Sequence, residues 1–121
     1  MPDAPLAHWV APGADGPKQL TRAAELFRVL GAPVRLAIVV ELARAPRSVQ
    51  ELADTLGVRQ PVVSQHLRVL RSARLVTAER RDRQRLYRLV DEHVRHIVAD
   101  ALQHALEHPS KEGGSRRVGA R

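Results

Sequence analysis

The chain contains no cysteine. That excludes disulfides, thiolate metal sites and thiol redox sensing, and it leaves His, Asp, Glu and backbone groups as the only metal donors. Aromatic residues are almost as scarce, with one Trp, one Tyr and one Phe among 121 residues. A core must therefore be built from Leu, Val, Ile and Ala, which favours helices over a large sheet. No apolar run is long enough to span a bilayer, and none forms the hydrophobic region of a signal peptide. The sequence reads as a soluble, cytoplasmic protein without a membrane partner. It also lacks an HExxH motif and any evident general base, so it does not read as an enzyme. The length suits one small domain whose modest core would gain from dimerisation.

Charge is present and unevenly placed. Lys and Arg total 20 against 13 Asp and Glu, a formal net charge of +7. Such an excess suits a polyanion, either nucleic acid or an anionic membrane surface. Nine arginines lie in one stretch, Arg59, Arg68, Arg71, Arg74, Arg80, Arg81, Arg83, Arg85 and Arg88, opposed only by Glu79 and Asp82. That segment alone carries an excess equal to the whole chain's.

Residues 1–17, rich in Pro, Gly and Ala, are expected to form a disordered arm, and 109–121 a disordered tail. The ordered domain is expected over 18–108, and it contains no internal repeat. "QLTRAAELFRVL" places Leu20, Ala23, Ala24, Phe27 and Leu30 at helical spacing. Gly31 ends that helix, and Pro33 opens "PVRLAIVVELARA", which is apolar on most sides and should be the buried centre. Ser48 with Glu51 forms a capping box before a helix whose inner face is Val49, Leu52, Ala53 and Leu56; Gly57 ends it. Pro61 suits the first turn of the next helix. There Val63, Leu67 and Leu70 face inward, leaving Ser64, Gln65, Arg68 and Arg71 outside. "LVTAERRDRQRLYRLV" alternates around a charged tip, a two-stranded hairpin pattern whose turn signal is weak for want of glycine. A last helix runs from about Glu92 to His108, stopped by Pro109.

The expected fold is mainly α with a small β-hairpin, in the order α-α-α-α-β-β-α: a winged helix-turn-helix. Ser64, Gln65 and Arg68 would enter the major groove and read base edges. Gln60, His66 and Arg71 complete the candidate set on that helix. Arg80, Arg81, Arg83 and Arg85 on the wing would hold phosphate or reach the minor groove. The plain alternative is a solvated arginine-rich hairpin.

"LFRVLGAPVRLAIVVEL", "VQELADTLGVRQPVVSQHLRVLRSARLV" and "RQRLYRLVDEHV" resemble the ArsR/SmtB family of bacterial winged-helix metalloregulators. The resemblance covers roughly residues 20 to 108. It implies a homodimer whose apo form represses by occupying operator DNA and whose inducer lowers that affinity. The family's thiolate site on the helix-turn-helix has no counterpart, since "ELADTLG" carries no Cys.

"DEHVRHIVADALQHALEH" holds the candidate metal ligands. On an ideal helix His93 and His104, eleven residues apart, lie within about 20° of the same face. They are also roughly 16 Å apart along the axis at ~1.5 Å per residue, whereas a zinc–nitrogen bond is only ~2 Å. One straight helix cannot close this site; two antiparallel copies can. Asp91 and His93 of one chain would then meet His104 and Glu107 of the other, a two-nitrogen, two-oxygen set suited to tetrahedral Zn²⁺. The same spacing is the interhelical signature of the family it resembles. Val94, Val98, Ala101 and Ala105 would form a neighbouring stripe packed in the dimer. Co²⁺ or Ni²⁺ are alternatives, with His108, His96 or His8 as added ligands. An effector-independent DNA-binding protein is a further alternative.

Overall fold

Gly16 and Pro17 open the first helix, α1 (Gly16–Leu30), two residues before the expected boundary. Proline is well placed there, because the first amides of a helix have no intrahelical acceptor. The computed structural model describes residues 16–110, so His8 and most of the two expected tails lie outside the described residues. Helix α1 buries Val29 and Leu30, with Leu26 packed beside them. Phe27, counted in the apolar pattern, is instead 61% exposed. The spacing identified the helix and misjudged its inner side.

The carbonyl of Val29 would normally accept from the residue four positions on. That residue is Pro33, which has no N–H, and α1 stops at Leu30. Pro33 starts α2 (Pro33–Arg44), the buried centre expected. Ile38 and Val39 are fully buried, and the helix packs against α1 and every later helix and the second strand.

Helix α3 (Val49–Leu56) begins with the expected box. Ser48 Oγ accepts from the Glu51 amide at 3.1 Å, and Glu51 Oε1 accepts from the Ser48 amide at 2.9 Å. Gly57 ends it in the left-handed region, φ 68°. Helix α4 (Gln60–Ser72) follows, with Val63, Leu67 and Leu70 at most 1% exposed. Its end is a Schellman turn: the Leu75 amide donates to Leu70 O and the Arg74 amide to Arg71 O. Arg74 holds the left-handed position, φ 64°, usually taken by glycine.

Strands β1 (Val76–Arg81) and β2 (Gln84–Leu89) pair antiparallel, Val76 opposite Leu89 and Arg81 opposite Gln84. The two-residue connection succeeds without glycine because Asp82 itself adopts φ 57°, a conformation Asp tolerates. A contact absent from the sequence pattern ties this wing down. Arg47, just before α3, exchanges both backbone hydrogen bonds with Tyr87 on β2, at 3.0 and 2.8 Å.

Helix α5 (Glu92–Glu107) closes the described chain. Val94 and Val98, expected in a dimer stripe, are each 3% exposed and belong to this chain's own core. The first half of α5 lies on α2 and β2, so its apolar side is consumed there. Residues 101–110 are all exposed, including Leu102 and Leu106. No helix of the described residues is long and apolar enough to cross a membrane.

Candidate DNA interface and metal centre

The three buried residues of α4 fix which side of that helix meets solvent. Gln60, Gln65, Arg68 and Arg71 are exposed and Ser64 is partly so, as the periodicity expected. Beside them an open groove of about 530 Å³ separates α4 from the wing. Ser64, Arg68, Arg71, Ser72, Arg85 and Tyr87 line it. Three guanidinium groups, two hydroxyls and a phenol converge there, and such forks and hydroxyls suit phosphate oxygens and base edges. Ser72 and Tyr87 escaped the sequence reading, because only the packing of wing against helix brings them to this groove.

The wing concentrates charge against its own stability. Arg80 faces Arg85 directly across the hairpin, and like charges in that position repel. Glu79 pairs with Arg81 at 3.2 Å and with Arg88 at 3.6 Å. Arg80, Arg83 and Arg85 have no ion pair among the described residues. Of the four wing arginines proposed from sequence, Arg81 is thus the one already partly neutralised.

His66 turns one edge into the protein. Its Nδ1 accepts from Arg35 Nε at 3.2 Å, and Arg35 Nη1 donates to Val29 O at 3.0 Å, the carbonyl left without a donor by Pro33. Burial, and secondarily the Arg35 charge, hold the His66 imidazole below its ordinary range. Arg35 was not singled out from sequence. The available signal was a charged residue in the first turn of a mostly aliphatic helix.

On α5 the proposed ligands form two half-sites at opposite ends. Asp91 is the N-cap: its Oδ1 accepts from the Val94 amide at 3.2 Å, while Oδ2 lies 3.6 Å from His93 Nδ1. One carboxylate oxygen orients the helix and the other stays beside an imidazole that is 87% exposed. At the far end His104, Glu107 and His108 are all exposed. The His104 and His108 rings are 4.7 Å apart, and Glu107 Oε2 accepts from Gln103 Nε2 at 2.6 Å. His96 is exposed between them. No three His, Asp or Glu side chains among the described residues gather closely enough to share an ion within one chain. The donor types at each end, an oxygen beside a nitrogen, fit a divalent metal such as zinc. Asp91 and His93 also border a cavity of about 430 Å³ that reaches Arg74 at the end of α4.

The family model for the bacterial regulatory protein, arsR family, matches residues 32–78, which is α2 through the first half of β1. The HTH-type transcriptional repressor SmtB of Mycobacterium tuberculosis is 54% identical over 95 residues, covering 78% of this chain and 70% of the relative. The HTH-type transcriptional regulator KmtR of the same organism is 44% identical, over 72% of this chain and 67% of its own length. Among solved structures, the homodimeric winged helix-turn-helix DNA-binding domain of Mb0332 from Mycobacterium bovis superposes with a TM-score of 0.72 at 29% identity, covering 84% of this chain and 94% of that one. The transcriptional repressor BigR of Xylella fastidiosa gives 0.65 at 32% identity, over 80% and 96%. The fold is a winged helix-turn-helix, and the chain belongs to the arsR family of bacterial regulatory proteins.

Proposed function

We propose that the protein is a metal-responsive transcriptional repressor, acting in the cytoplasm, that binds operator DNA as a homodimer and leaves it when Zn²⁺ binds between the α5 helices. The observation that carries the DNA-binding half is the groove between α4 and the wing, where Arg68, Arg71 and Arg85 converge without ion pairs among the described residues. One α4 per half-site enters the major groove of an inverted repeat, with Ser64, Gln65 and Arg68 on base edges. Arg80, Arg83 and Arg85 hold backbone phosphates, and the repulsion of Arg80 by Arg85 is relieved by the polyanion. The role is regulatory and not catalytic.

A second copy of the chain has a face to occupy. Phe27 on α1 and Leu102 and Leu106 on α5 are 61%, 44% and 75% exposed, although they are apolar. The homodimeric neighbour from M. bovis supports that assembly. In it, Asp91 and His93 of one protomer with His104 and Glu107 of the partner subunit would hold the ion, which supplies a crosslink between two otherwise separate helices. By linkage, the factor by which metal lowers DNA affinity equals the factor by which DNA lowers metal affinity. The family resemblance suggests the route: the second ring nitrogen of His104 bonds a backbone carbonyl near Arg74, where α4 ends. Such a bond also orients the ligand.

Operator affinity, measured by fluorescence anisotropy with and without Zn²⁺, tests the switch; equal affinities reject it. His104→Ala should still bind DNA and should ignore zinc. A nickel- or cobalt-responsive repressor is a second reading, favoured by the proximity of His108 to His104. The absorption spectrum of the Co²⁺ form separates four-coordinate from six-coordinate sites. Absence of metal uptake in calorimetry would leave an effector-independent DNA-binding protein.

A further inference from the structure

The apolar contacts that seat α4 are not directional. Val63, Leu67 and Leu70 keep one side of the helix out of water, but aliphatic packing alone tolerates small rotations. A 20° rotation about an axis ~5–6 Å from the side-chain tips moves them by about 2 Å. Hydrogen bonds to base edges do not survive such a shift. Something directional must set the angle at which the reading face is presented.

Arg35 is placed to do so. It stands in the first turns of α2, whose Ile38 and Val39 are 0% exposed, so its backbone is firmly held. One guanidinium reaches two other elements: Nη1 to Val29 O near the end of α1, and Nε to His66 Nδ1 on α4. His66 directly precedes the buried Leu67, at the flank of the apolar stripe. We propose that Arg35 is a positioning residue for operator recognition, fixing the rotation of α4 through His66 while braced on the carbonyl of Val29. The inference rests on α4 being the DNA-reading helix.

The same bond sets the state of the imidazole. A guanidinium only donates, so His66 Nδ1 must carry a lone pair, and the ring proton sits on Nε2. Burial acts in the same direction, keeping the ring uncharged. A lysine at position 35 presents a point charge and not a fork, and cannot hold both acceptors in the same planar geometry.

The test uses the full chain and a duplex that the wild-type protein selects from a random-sequence pool. The readout is the ratio of its affinity for that duplex to its affinity for an unrelated duplex at the same salt concentration. Arg35→Met and His66→Leu should each lower the ratio about tenfold, and Arg35→Met should leave the unrelated duplex bound as before. The double variant should be no worse than either single one, within about twofold. His66→Asn, which keeps an acceptor near the Nδ1 position, should stay within about threefold of wild type. Ring ¹⁵N shifts of His66 should report the neutral Nε2–H tautomer in the wild type and tautomer averaging in Arg35→Met. If Arg35→Met does not fold, Arg35→Lys carries the same comparison and should lower the ratio at least about threefold. An unchanged ratio, an equal loss on both duplexes, or single effects that simply add would each overturn the proposal. If the wild type selects no duplex over unrelated DNA, the repressor reading itself fails, and the role of Arg35 falls with it.

Discussion

Gly57 is a residue whose backbone does what its side chain could not. At φ 68° it ends α3, and a Cβ added there would meet nothing within 4 Å. The cost of replacing it is therefore conformational and not steric. Gly57→Ala should lower stability by about 1 kcal/mol, read as an earlier urea midpoint with an unchanged slope. His66 makes a pH prediction. Its folded-state pKa lies below the unfolded value of 6.5, so the unfolded chain binds the proton first. The stability it contributes is fully present above pH 6.5 and is lost as pH falls through the lower folded value. Thermal melts of wild type and His66→Asn between pH 8 and 5 should diverge below about 6.5, the variant losing less. Parallel curves would contradict the partly buried neutral imidazole.

At the scale of elements, the wing sets like charges opposite each other and α5 leaves its last turns exposed. The Arg80–Arg85 pair predicts two effects of opposite sign. Arg80→Gln should raise stability by about 0.2–1 kcal/mol by removing a facing like charge. It should also weaken DNA binding and reduce the slope of log affinity against log salt by about one. A variant that loses both stability and affinity would refute the account of the wing. The hairpin was legible in sequence because apolar and polar residues broadly alternate on both sides of a charged tip, yet its turn was not, since Asp82 supplies a positive φ that only the folded register demands. Helix α5 was legible as a helix, and the donors proposed from sequence stand at its two ends. Its apolar stripe was misassigned, because periodicity cannot say whether a valine faces its own chain or another. Val94 and Val98 went to the core, and the exposed apolar residues lie further along.

For the whole molecule, the open question of the sequence was how ligands at both ends of one helix could serve one ion. The fold holds α5 against α2 and leaves the proposed donors at its opposite ends, so on the proposed function a second copy must bring them together. Leu106 is 75% exposed and takes no part in the core of its own chain. Leu106→Glu should leave the monomer folded by circular dichroism, shift sedimentation toward the monomer and weaken operator binding by at least about tenfold, since half-sites then bind singly. A variant that remains dimeric would place the second copy elsewhere.

The sequence by itself determined the order of elements, the capping of α3, the buried side of α4, the basic character of the wing and the types of metal donor available. Each follows from local chemistry: spacing, caps and charge are properties of neighbours along the chain. Only the tertiary structure decided that Phe27 faces outward, that Val94 and Val98 serve the core, that Tyr87 locks to Arg47, and that Arg35 spans from Val29 to His66. Those facts depend on which surfaces meet across long stretches of chain, and no periodicity within one element encodes the identity of the surface it will meet.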